Sequence, residues 1–181
     1  MRNAIAEGRS GISSRLVFSA ASFACAVIVG FSALVAVPLP GTPVPATLQT
    51  FALLACAGFL GRSYALQMVL WYVAIGLAGA PFFTGGGGAG ALFGATGGYI
   101  AGFFAASAIV GYLSSRRGPL VSKVAIYAAA AMAVYVPGLL WLKFSTGAEW
   151  SAVLSMGLLP FILFDLAKAA AAASINRLFR R

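Results

Sequence analysis

No charged residue occurs from residue 16 through 61, and none from residue 63 through 115. A helix that crosses a bilayer takes about 20 apolar residues, so each of these runs has room for about two crossings. Across the 181 residues only 8% are charged and 61% are hydrophobic, where a soluble domain is about a quarter charged. The chain therefore reads as an all-α integral membrane protein. A membrane β-barrel does not fit, because barrel strands alternate apolar and polar positions and these runs are apolar on every face.

Prolines and glycines punctuate the runs and predict six transmembrane spans, about 16–37, 46–60, 63–77, 92–113, 120–142 and 151–178. The first ends at Pro38-Leu39-Pro40-Gly41 and the sixth is interrupted by Pro160. Residues 1–15 are polar, and the apolar run behind them is too long for the core of a cleaved leader. The first run is thus expected to be a span, and residues 1–181 a single six-helix domain.

Six crossings put both termini on one side. That side then carries Arg2, Arg9, Arg15, Arg62, Arg116, Arg117, Lys123, Arg177, Arg180 and Arg181, while the other carries Lys143. The positive-inside rule makes the basic side, with both termini, cytoplasmic. The expected setting is a bacterial-type cell (inner) membrane, crossed several times. The net charge of +9 is accounted for by this asymmetry, so no nucleic-acid partner is inferred.

The inventory of reactive side chains is small. There is no histidine, and the acids are Glu7, Glu149 and Asp165. Metal sites and paired-carboxylate catalysis lack their parts, so no catalytic residue, metal or cofactor is assigned. Cys25 and Cys56 lie inside apolar runs and read as small packing residues. At this length no room remains for a soluble catalytic domain, and no phosphate-binding loop is present.

Several features point to ligand binding instead. Asp165 and Lys168 stand three apart on one face of the sixth span, and charges within a bilayer normally face a bundle interior or a watery cavity. One alternative is a mutual ion pair that only locks the helix. The outward loops are unusual: residues 38–45 carry four prolines, and Gly85, Gly86, Gly87 and Gly88 run together. Gln49, at the start of the second span, has both a donor and an acceptor. Phe83 and Tyr99 are available to wall an apolar pocket. On the first span Ala20 and Ala24 are four apart, a spacing that lets helix backbones approach closely. That face suits either internal packing or a partner subunit.

The order of these segments resembles one family. The stretch Pro38-Leu-Pro-Gly-Thr-Pro-Val-Pro-Ala-Thr-Leu-Gln49-Thr50 is similar to the proline-rich segment of the BioY family of biotin-transporter subunits. Leu60-Gly61-Arg62, Phe83-Thr-Gly-Gly-Gly-Gly88, Gly94-Ala-Thr-Gly-Gly-Tyr99-Ile-Ala-Gly-Phe103 and Pro160 through Asp165 to Lys168 resemble its later motifs in sequence. The resemblance implies the substrate-binding (S) component of an energy-coupling-factor (ECF) transporter: a six-helix protein that takes biotin from outside. It implies as partners a transmembrane coupling subunit, met through Ala20 and Ala24, and separate subunits that hydrolyse ATP. Asp165 and Lys168 fall where the family holds the ureido end of biotin.

Two departures stand out. Ala95 replaces the family's usual proline, and the glycine loop lacks the polar or basic side chain often found there. The expected contacts to biotin are Gln49, Phe83, Gly86, Gly87, Thr96, Tyr99, Asp165 and Lys168, with loop amides, Gln49 or Thr96 left for its carboxylate. An S component for another vitamin, or a small structural or pore-forming membrane protein, are the competing readings.

Overall fold

The computed structural model describes the main chain of residues 2–114 and 118–179, with side chains from residue 13 onward. In chain order the elements are α1 (Arg2–Ser32), β1 (Ala36–Val37), β2 (Ala46–Thr47), α2 (Gln49–Leu60), α3 (Arg62–Leu77), α4 (Ala89–Leu92), α5 (Gly97–Leu113), α6 (Leu120–Thr146), α7 (Trp150–Gly157) and α8 (Ile162–Phe179).

The six expected helical segments are present, but four are modified for local reasons. The first stops at Ser32, not Val37. Ala36–Val37 and Ala46–Thr47 pair as an antiparallel hairpin around the proline-rich turn, which also delays the start of the second helix to Gln49. The fourth is split into α4 and α5 around Gly94–Thr96. The sixth is split into α7 and α8, bent by 44°, across the four residues that contain Pro160. Pro137, by contrast, is carried inside α6, which ends only at Gly147, a left-handed residue with φ 67°.

α2 is the central helix. It packs against α1, α3, α5, α6 and α8 and buries Leu53, Leu54 and Ala57 completely. α5 and α6 form the most extensive pair, because glycine removes the side chain at their crossing. A Cβ on Gly98 would stand 2.3 Å from the Pro137 carbonyl oxygen, and one on Gly102 2.6 Å from that of Val134.

The surface is apolar. Leu16, Ile28 and Phe31 on α1, Val136, Leu140 and Phe144 on α6, and Leu163 and Phe164 on α8 are all exposed. Patches of this kind are stable only against lipid or a partner. By length and composition, residues Ser13–Ser32 and α6 can each cross a membrane, and α7 with α8 makes a third span if taken as one broken helix. α2 and α5 are shorter apolar helices. These features make the chain a membrane protein.

The two ends of the bundle differ. At one end Phe18 stacks on Tyr64 at 5.1 Å, Phe59 meets Phe179 at 5.7 Å, and Gly111 lies against the Arg62 main chain. That end gathers Arg15, Arg62 and Arg177. At the other, Trp141 Nε1 donates to the Gly94 carbonyl at 2.8 Å, and Val44 of the hairpin packs in one cluster with Leu142 and Val153. The side chains of Arg2, Arg9, Arg116, Arg117, Arg180 and Arg181 lie outside the described residues.

Candidate functional site

A cavity opens between the hairpin, α2, α5, α6 and α8, and its lining includes Gln49, Thr96, Tyr99, Asp165 and Lys168. These five side chains, expected from the sequence to act together, come from three separate stretches of the chain. Apolar wall comes from Val44, Ile100, Phe103, Val134 and Phe161.

The polar pole of the cavity is built on α8. Lys168 Nζ lies 2.8 Å from Asp165 Oδ1 and also donates to the main-chain oxygen of Thr47, at 2.8 Å. The second carboxylate oxygen accepts from Tyr135 of α6, whose hydroxyl lies 2.5 Å from Oδ2. Both charged side chains are largely buried, 17% and 11% exposed. An ion pair so placed is tolerated because each charge is paired and hydrogen-bonded. Asp165 also stands in the first turn of α8, where the helix dipole favours a negative charge.

Tyr99 supports this arrangement from α5. Its hydroxyl donates to the Gly157 carbonyl at 2.8 Å, satisfying main chain at the α7–α8 break. Its ring meets Tyr135 edge-on, with centroids 6.1 Å apart.

Other expected residues fall elsewhere. Gln49 borders the cavity, but its amide is engaged: Nε2 donates to Tyr72 Oη at 2.8 Å and to the Phe82 carbonyl at 3.1 Å. Gln49 thereby ties α2 to α3 and to the start of the glycine loop. Phe83 is not in the lining. It is 2% exposed and packs in the core against Tyr72, at 5.5 Å between centroids, and against Gly76. Gly86 and Gly87 are also outside the lining. Gly86 exchanges two main-chain hydrogen bonds with Phe83, each 3.0 Å, at φ 128°. Gly87 lies against the carbonyls of Gly79 and Ala80. From this loop it is Thr84 that reaches the cavity.

Sequence reading missed Tyr135 and Thr84. The signal for Tyr135 was a hydroxyl within an apolar span, which needs a partner when buried.

Ala20 and Ala24 are exposed on α1. The inward face of that helix is carried by Ser22, Ala26 and Val29, so the two alanines do not serve internal packing. Cys25 and Cys56 are free thiols facing each other between α1 and α2.

The model of the BioY family matches residues 6–181. The chain belongs to the BioY family. The biotin transporter BioY of Thermotoga maritima is 35% identical over 162 residues, covering 89% of this chain and 93% of that one. The biotin transporter BioY of Rhizobium etli is 32% identical over 179 residues, covering 92% and 93%. The crystal structure of the S-component for biotin from an ECF-type ABC transporter superposes with a TM-score of 0.84, at 25% identity, over 93% of each chain. These BioY relatives are transporters and a transporter subunit, not enzymes. The resemblance carried by the proline-rich, glycine-rich and terminal-helix motifs therefore marks true membership.

Proposed function

We propose that this chain is the biotin-binding S component of an ECF-type uptake transporter. The observation that carries the reading is the buried Asp165–Lys168 pair, held by Tyr135 in the lining of an apolar-walled cavity, in a chain whose BioY relatives are named biotin transporters. Biotin is a compact fused ring with a ureido group at one end and a carboxylate at the other. A carboxylate beside an ammonium offers an acceptor for the ureido N–H and a donor for its carbonyl. The cavity measures about 60 Å³, below the roughly 300 Å³ or more of drug-sized ligand sites. The direct check is mass spectrometry of small molecules released from the detergent-purified protein, followed by titration. Biotin is the expected mass; a different vitamin, or no bound ligand and no titration, would overturn the assignment.

The chain is taken to act as one six-helix domain that crosses a bacterial-type inner membrane with both termini in the cytoplasm. The gathering of Arg15, Arg62 and Arg177 at one end of the bundle supports this direction, in which the hairpin and glycine loop face outward, where a vitamin arrives. Reporter fusions at the two termini are both expected to report a cytoplasmic location, and an outward signal from either end would refute the topology. Transport requires an ATP-hydrolysing module on other chains and a transmembrane coupling subunit. The exposed Ala20–Ala24 face of α1 is the surface assigned to the coupling subunit.

A further inference from the structure

Tyr99 belongs to the cavity wall on one side and to a slot between two glycines on the other. It lines the cavity, and it crosses from α5 over Gly138 of α6 to Gly157, the last residue of α7. A Cβ on Gly138 would stand 2.6 Å from both Cδ1 and Cε1 of the ring and 2.8 Å from Cγ. One on Gly157 would stand 2.6 Å from the Tyr99 hydroxyl oxygen. Carbon atoms that are not bonded settle at about 3.5–4.0 Å, so neither position has room for a side chain while the ring stays where it is. Both glycines are buried, and neither lines the cavity.

Gly138 differs from the other glycines of this helix pair. At Gly102 a Cβ would strike the main chain of α6, and at Gly98 chiefly so; those two let the backbones approach. At Gly138 the three nearest atoms all belong to the Tyr99 ring. Glycine inside a helix is less favourable than alanine, and what it supplies at this point of α6 is space for one side chain.

The ring has little freedom to give way. Its Cγ end is set by α5, and its hydroxyl is held by the Gly157 carbonyl at 2.8 Å. Tyr135, three residues before Gly138 and on the same face of α6, meets it edge-on at 6.1 Å between centroids. Open space lies on the cavity side. A methyl group entering from Gly138 therefore turns the ring toward the cavity and pulls its hydroxyl from Gly157.

We infer that Gly138 and Gly157 are positioning residues for the ligand site. They hold the Tyr99 ring back, and so set the width of the cavity and the size of ring system it admits. This rests on the biotin reading above and adds to it a determinant of ring size.

Calorimetric titration of the full chain with biotin and with desthiobiotin, which keeps the ureido ring and the acid tail but lacks the sulfur ring, tests it. Gly138→Ala is expected to weaken biotin about tenfold and desthiobiotin less, so that the ratio of the two shifts toward the smaller ligand. In a Tyr99→Ala background the same substitution should have no further effect, because the atoms it strikes are gone. Should Gly138→Ala fail to fold, Gly157→Ala, which meets the other end of the same ring, carries the same expectations. Unchanged biotin affinity, an equal loss for both ligands, a loss undiminished by Tyr99→Ala, or failure of both variants to fold even in that background overturns the inference while the wild type still binds biotin. The glycines would then serve helix packing alone. If the wild type binds neither compound, the biotin reading itself fails.

Discussion

Asp165→Asn is expected to weaken biotin binding by about ten- to a hundred-fold or more. The carboxylate is the only acid in the cavity lining, and each of its oxygens is already fixed by one partner, Lys168 or Tyr135. It therefore meets a ligand N–H with no reorganisation. A hydrogen bond to a charged group in a desolvated site contributes roughly 1.5–3 kcal/mol, and each 1.4 kcal/mol is about tenfold in Kd. The amide of asparagine keeps the shape but loses the charge, and leaves Lys168 without its counter-ion in a largely buried position. Tyr135→Phe tests whether that hydroxyl acts through Asp165. If it does, Tyr135→Phe combined with Asp165→Asn binds no more weakly than Asp165→Asn alone, whereas independent effects would add. Titration calorimetry measures all three variants. Wild-type affinity in Asp165→Asn would reduce the pair to a structural lock and remove the ligand site from α8.

Ala24→Trp, and in the same way Ala20→Trp, should cut capture of the coupling subunit by about tenfold or more while leaving the biotin titration unchanged. Close helix approach needs small residues at the contact, and an indole at that spacing holds the two backbones apart. Overpacking a fitted contact costs roughly 1–3 kcal/mol, which is about ten- to a hundred-fold in assembly. The separation of the two readouts follows from the position of the alanines. They are exposed, while α1 is fastened to α3 from its other side by Ser22 Oγ donating to the Tyr64 carbonyl at 3.0 Å and by Gln67 Nε2 donating to Ser19 Oγ at 2.6 Å. A co-purification assay beside a binding titration makes the check. Intact capture with lost biotin binding would assign the face to the fold instead.

The sequence revealed the helical segments because their signal is the absence of charge over long runs, which no packing detail alters. It revealed Asp165 and Lys168 for the converse reason: two charges three apart in an otherwise apolar span are costly unless paired. Pro160 announced the break in the last segment. The split at Gly94–Thr96 was not visible, since the apolar run continues through it and only the packing of α5 on α6 shows where the helix restarts. Side-chain direction was the other loss. Phe83 and Thr84 are neighbours, yet the first turns into the core and the second toward the cavity, a choice made by the hydrogen bonds between Phe83 and Gly86. Likewise Gln49 carries the right chemistry for a ligand contact, but its amide is claimed by Tyr72, a residue 23 positions away.

The joint between α7 and α8 bears on how this chain tolerates change in length. In an unbroken helix an inserted residue rotates everything beyond it by about 100° round the axis, which would carry Asp165 away from Tyr135. Here four non-helical residues intervene, and α8 takes its position from α2 and α6 rather than from α7. Insertions and deletions ahead of Ile162 can be absorbed at the joint. A change in length at this joint thus leaves the phase of the charged pair fixed, while Val153, buried beside Leu142, keeps α7 on α6.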